Sequence, residues 1–211
     1  VVPDFAEVYY YARHTTRDEV VNVFDRIVDA AKGAAIGTGT TMDYEIISGV
    51  HELLNIESLQ KRVHRNLEKI GGYFYNDEEK AFAEKISKTL GIDLDTKYVE
   101  GIMPYDPEGK AGGSTDVGDV SFAVPTVGLN VATWVPGTSA HSWQAVAAGG
   151  TSIGTKGMMI AAKTIALTGM QLLDEPKIIE AAKKEFLEKR GANFIYTPML
   201  GDRKPALNYR N

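Results

Sequence analysis

The chain has 211 residues, of which 44% are apolar, enough for one large domain or for a medium and a small one. A net charge of -5 with acids and bases interspersed provides no basic patch for nucleic acid and no polybasic membrane anchor, and no apolar run approaches the ~20 residues that span a bilayer. Cysteine is absent, which excludes disulfides and thiolate metal sites and fits a cytoplasmic location.

The chain opens on Val1 without an initiator methionine and is read as a fragment. Residues 6-12, "AEVYYYA", have the composition of a strand. Thr16 and Glu19 then form a T-x-x-E capping box, and Val20, Phe24, Ile27, Val28 and Ala31 lie on one helical stripe, with Gly33 as its stop. The Thr, Ile and Tyr content of residues 35-50 predicts a second strand. From Asn55 the pattern is helical, with Leu59, Val63, Leu67 and Ile70 on one face and Gly71-Gly72 as the end. Asn76 and Glu79 cap the next helix, which buries Phe82, Ile86 and Leu90 and stops at Gly91. Residues 91-115 form a long irregular connection of the kind that often carries function. Residues 126-135, "TVGLNVATWV", read as a buried strand ending at the turn that holds His141. Residues 153-173 predict a nearly all-apolar central helix. Pro176 opens the last one, with Ile178, Ala182 and Phe186 inward and Lys189-Arg190 at its C-terminus. An irregular tail follows.

Two stretches carry candidate chemistry. In "PGTSAHSWQ", residues 136-144, His141 sits in a polar turn beside Trp143; by pattern alone it reads as a turn histidine, because one imidazole without spaced partners is no metal motif. In "GGSTDVGDVS", residues 112-121, Gly113 allows close approach of a ligand, Ser114 and Thr115 offer hydroxyls, and Asp116 is placed to cap a short helix from Val117. Asp116 and Asp119 would share a helical face there, and the bland reading is a cap with a dipole-compensating acid. "GTGTT" at 37-41 is followed by no helix and reads as a strand entry rather than a phosphate loop. His14, His51 and His64 are weaker ligand candidates: His64 lies on a helix facing solvent, and His51 and Glu52 would point to opposite faces of a strand.

Residues 112-158, "GGSTDVGDVSFAVPTVGLNVATWVPGTSAHSWQAVAAGGTSIGTKGM", resemble the C-terminal part of the metal-dependent aminoacylase and carboxypeptidase-like amidohydrolases. The likeness extends through "VVPDFAEVYYYAR", "TGTT", the turn from Glu52 to Asn55 and the closing "KPALNYR". It implies an α/β fold. Residues 1-50 would be the second half of a ferredoxin-like lid that dimerises, and residues 51-211 the C-terminal half of a zinc-peptidase-like catalytic domain with a mixed sheet between helices. It further implies two divalent cations, zinc or manganese, that activate a water against the amide carbonyl of a small-molecule substrate, an aryl or acyl group joined to an amino acid such as glutamate. The family's last metal ligand matches His141, while Gly113, Ser114 and Asp116 match its substrate-lining loop. The remaining ligands and the general-base glutamate would lie outside this chain, which alone should neither hold the cations tightly nor catalyse. A homodimer through the lid, or a hetero-oligomer with a sister subunit, is the implied assembly; a non-catalytic assembly member and a dipeptidase of the same family are the alternatives. Two departures stand out: Thr155 where relatives often carry histidine, and Ser139-Ala140 in place of Pro-Leu before His141.

Overall fold

Wherever apolar residues recur every three or four positions, the chain is helical. The structure, a computed structural model, describes residues 2-107, 113-201, 204 and 207. Its helices are α1 (Arg17–Thr38), α2 (Glu57–Ile70), α3 (Asp77–Leu90), α4 (Lys97–Glu100), α5 (Val117–Ala123), α6 (Trp143–Gly149), α7 (Ser152–Asp174) and α8 (Pro176–Arg190). Among the described residues there is no strand, so the mixed sheet expected from the resemblance is not seen. Residues 6-12, 42-50 and 126-135 are irregular instead. Strand-forming composition makes a strand only where another backbone pairs with it, and two adjacent runs without a third seldom hold a sheet. Tyr9, Tyr10 and Tyr11 are exposed. Part of the second expected strand is helix, because α1 runs through Gly33 into Ala34, Ala35 and Ile36. It ends in a Schellman motif at Gly39, with Gly39 N–H on the Ile36 carbonyl and Thr40 N–H on that of Ala35.

Contacts gather the chain into two units: Val1–Leu54 with Gly112–Ala123 and Asn193–Asn211, and Asn55–Ala111 with Val124–Ala192. The second unit has a core of Tyr73, Tyr75, Ala83, Ile86, Val99, Val135, Ala148, Ile153 and Ile160. α7 packs there against α2, α6 and α8. Some polar groups on the inner faces find partners there. Asn66, 1% exposed, donates to Thr168 Oγ1 at 3.0 Å and Gln171 Oε1 at 2.8 Å. Thr164 and Thr168 each bond back to the carbonyl four residues earlier. Residues 126-135 touch α7 so closely that a Cβ on Gly157 would lie 2.1 Å from the Ala132 carbonyl oxygen. The expected all-apolar α7 is buried only along Ile153, Gly154, Gly157, Ile160, Thr164 and Thr168; Met158, Ile165, Met170 and Leu173 are exposed.

Two helices receive their N-terminal caps from far along the chain. Thr16 stands at the N-cap of α1, but its hydroxyl makes no cap bond, and the Arg17 amide donates instead to Glu52 Oε2 at 3.0 Å. α2 begins after Ile56, which has no side chain able to cap. Its Glu57 and Ser58 amides donate to the Glu185 carboxylate of α8 at 2.7 and 3.0 Å, and Lys189 pairs with the same group at 2.8 Å. A carboxylate at a helix N-terminus satisfies orphan amides and opposes the dipole. Burial alone would push the Glu185 carboxyl up, but Lys189 and these amides outweigh it and hold it down at about 2. A folded-state value below the unfolded one means that the stabilisation is complete above the ordinary carboxylate range and is lost as pH falls through about 2. We expect Glu185→Gln to lower stability at pH 7 by an amount with a ceiling of about 3 kcal/mol, and to flatten the loss between about pH 4.5 and 2. Urea melts across that range check it; an unchanged acid limb would refute the assignment.

Candidate functional site

The turn around His141 is built by Pro136 and Gly137. Gly137 takes a left-handed conformation (φ 83°), and Thr138 N–H closes the turn on the Val135 carbonyl at 3.1 Å. Ser142 caps α6, accepting from the Ala145 amide at 3.2 Å while its hydroxyl donates to the Ser139 carbonyl at 2.7 Å. His141 is thus pinned between a tight turn and a helix cap. Its backbone has φ 59°, and among the described residues it alone other than glycine has positive φ. A non-glycine residue in that region costs roughly 1–2 kcal/mol and is kept only where its surroundings impose it, a condition that clusters at functional sites. The imidazole is exposed over a shallow depression lined by Trp134, Ser142, Trp143, Ala145 and Val146.

Gly113, Ser114 and Asp116 lie in the other unit, all exposed. Gly113 has φ 99°, and Ser114 Oγ accepts from Arg13 Nη1 at 3.0 Å. The hydroxyl that caps the first turn of α5 is that of Thr115, which accepts from the Val117 amide at 3.2 Å, and not the carboxylate of Asp116. Gly112 and the rest of 108-112, part of the expected long connection, lie outside the described residues, as does most of the closing "KPALNYR".

Sequence reasoning passed over a buried polar contact in this unit. His51, 5% exposed, places Nδ1 2.8 Å from Asp119 Oδ1, and Tyr196 donates to the same oxygen at 3.0 Å. That bond raises the affinity of the Tyr196 phenol for its proton. The available signal was a histidine among apolar neighbours in "IISGVHELL", since such a ring needs a polar partner. His64 is largely covered rather than solvent-facing, lying against Tyr105 and 3.4 Å from Glu68 on α2. The second unit also has a cavity of about 320 Å³ beside Tyr73, Tyr98, Tyr105 and Val131.

Binding a divalent cation needs several oxygen or nitrogen donors, and among the described residues no group of three His, Asp or Glu converges. His141 is exposed on a constrained backbone, and the described residues do not supply a coordination sphere around it.

The chain is similar to a p-aminobenzoyl-glutamate hydrolase subunit of Escherichia coli, with 30% identity over 210 residues, covering 88% of this chain and 44% of that protein. It is also similar to the Xaa-Arg dipeptidases of Mus musculus and Homo sapiens. These are 28% and 26% identical, each over 88% of this chain and 37% and 36% of theirs. The chain therefore spans less than half the length of these curated relatives. No protein-family model matches it, and neither does any solved structure.

Proposed function

Because the chain belongs to the aminoacylase- and carboxypeptidase-like amidohydrolases, we propose that it forms part of a metal-dependent enzyme cleaving an amide between an acyl or aryl group and an amino acid. In this reading residues 1-50 are half of a lid and residues 51-211 half of a catalytic domain. His141 holds one corner of a pair of zinc or manganese ions; the other ligands and the general base come from outside these 211 residues. The cations supply Lewis acidity and a water of lowered pKa. This chain's own part is to present the imidazole lone pair and, through Gly113, Ser114 and Asp116, to line the approach of a small-molecule amide. The observation that carries the reading is the exposed imidazole at a left-handed position, at the residue where the family resemblance puts its ligand.

p-Aminobenzoyl-glutamate and Xaa-Arg dipeptides are the substrates to try first, since the relatives are named for them. A cytoplasmic enzyme fits the absence of cysteine, and no helix among the described residues is long and apolar enough to cross a membrane. The Escherichia coli relative is by name one subunit of a hydrolase, which favours a second reading: the chain serves assembly with a sister subunit and has no catalysis of its own.

The test is elemental analysis and an amide-hydrolysis screen on a protein spanning the relatives' full length, beside the 211-residue chain. We expect about two divalent cations per chain and turnover in the longer protein, and neither in the shorter. A longer protein that loads metal to that level yet cleaves neither substrate class would favour the assembly reading. One that stays metal-free and inactive would remove the hydrolase reading altogether.

A further inference from the structure

We propose that His51 is a positioning residue, acting through Asp119 to set the pose of the segment 113-116; this rests on the reading that the segment lines the substrate. An ionised carboxylate can only accept, so His51 Nδ1 donates to Asp119 Oδ1 at 2.8 Å while the His51 amide donates to Oδ2 at 3.4 Å. The ring is held at the same time by Phe122 at 4.9 Å, Tyr196 at 5.4 Å and Phe194 at 6.3 Å between centroids.

The backbones are fitted as closely as the side chains. A Cβ on Gly118 would lie 1.9 Å from the His51 carbonyl oxygen, so only glycine allows α5 to approach residue 51 this way. Ser121, fully buried, accepts from the Leu54 amide at 2.8 Å and donates to the Gly118 carbonyl at 2.6 Å. α5 is therefore tied to residues 51-54 along its inner side. Its first turn begins directly at the proposed substrate-lining residues: Gly118 N–H bonds the Thr115 carbonyl and Asp119 N–H that of Asp116. Asp119 belongs to that turn, so fixing its carboxylate fixes the carbonyls and hydroxyls that precede it. Beyond these ties, 113-116 has the Arg13 contact to Ser114, between two exposed groups, which contributes little. Position 51 then adds a tie from outside the loop to the one that Thr115 makes with the Val117 amide.

The geometry makes a selective test possible. The amide nitrogen of asparagine can take the place of a histidine Nδ1, whereas that of glutamine matches Nε2. We expect His51→Asn to keep the amide exchange of Val117, Gly118 and Asp119 at the parent rate, and His51→Gln and His51→Ala to speed it about tenfold at those amides, leaving the exchange of α2 and α7 unchanged. In the longer protein, His51→Gln should raise KM for the cleaved amide about tenfold with kcat within threefold, and His51→Asn should restore it. A merely space-filling histidine would give the opposite order, because glutamine is closer to it in volume; that order, or unchanged exchange in His51→Ala, overturns the proposal. Should the position 51 variants fail to fold, Asp119→Leu keeps much of the size of the partner, has no acceptor for Nδ1, and must produce the same local exchange. Faster exchange with an unchanged KM would overturn the link to substrate. If the longer protein shows no hydrolysis at all, the proposed activity has failed, while exchange at 117-119 still decides the positioning role.

Discussion

His141→Gly is expected to stabilise this chain while disabling the proposed enzyme. Glycine reaches φ near 60° without a Cβ clash, which removes a strain of roughly 1–2 kcal/mol, against about 0.4–1 kcal/mol of added unfolded-state entropy. The net gain should be about 0.5 kcal/mol, a rise in Tm of about 1–2 °C for a chain of this size. His141→Ala keeps the Cβ and should bring no such gain. In the longer protein both variants remove a proposed direct metal ligand. Loss of groups that merely support a ligand already costs about 10–100-fold, so amide hydrolysis should fall by more than about 100-fold. Thermal melts of the chain and metal content with turnover of the longer protein are the readouts. A longer protein with His141→Ala that keeps both its cations and its activity would show that position 141 is no ligand.

The second large effect is expected at Glu79, where one carboxylate joins α3 to α7. It is 4% exposed, its Oε2 accepts from the Asn76 amide at 2.7 Å and from Lys156 Nζ at 2.6 Å, and its Oε1 accepts from Ser152 at 2.6 Å. Lys156 also donates to the Phe74 carbonyl at 3.0 Å. Burial works to raise the Glu79 carboxyl, but Lys156, Ser152 and the Asn76 amide prevail and hold it below the usual carboxylate range. The sign follows as for any depressed acid: stabilisation is full above the ordinary carboxylate value and fades as pH falls through the lowered one. Glu79→Ala strands Lys156 and opens the capping box of α3, for a loss of about 3 kcal/mol, near the lower end for a broken buried pair because Lys156 is partly exposed. The expected fall in Tm is roughly 8 °C. Adding Lys156→Met should recover part of that loss, and a double-mutant cycle measures how much. If Glu79→Ala melts within 1 °C of the parent, the network contributes nothing to stability.

Helices were legible where periodicity and a local cap agreed. Asn76 with Glu79 forms the expected box, its side chain taking the Glu79 amide at 2.8 Å, and Pro176 opens α8 with Ala182 and Phe186 buried. Several expectations failed, some of them for nameable reasons. Gly33 did not stop α1, since a single glycine costs only about 1 kcal/mol and good helix formers follow it. Thr16 and Glu19 made no box, and the first helical amide, that of Arg17, is taken by the distant Glu52 carboxylate. The runs at 6-12, 35-50 and 126-135 carry strand composition, but pairing is a property of two segments and no local pattern encodes its partner.

The site was legible in type rather than in geometry. The special place of His141 after a Pro-Gly turn could be read, but not its left-handed backbone. Asp119 was noticed as an acid on α5, but its histidine lies 68 residues away, beyond any motif spacing.

The cap of α2 has a consequence for the order of assembly during synthesis. Glu57 and the carboxylate that receives its amide are separated by 128 positions, so a ribosome adding about 5–20 residues each second finishes the first about 6–25 s before the second. For that interval the emerging α2 has its leading turn open to water and must fray, or be held, until α8 leaves the exit tunnel.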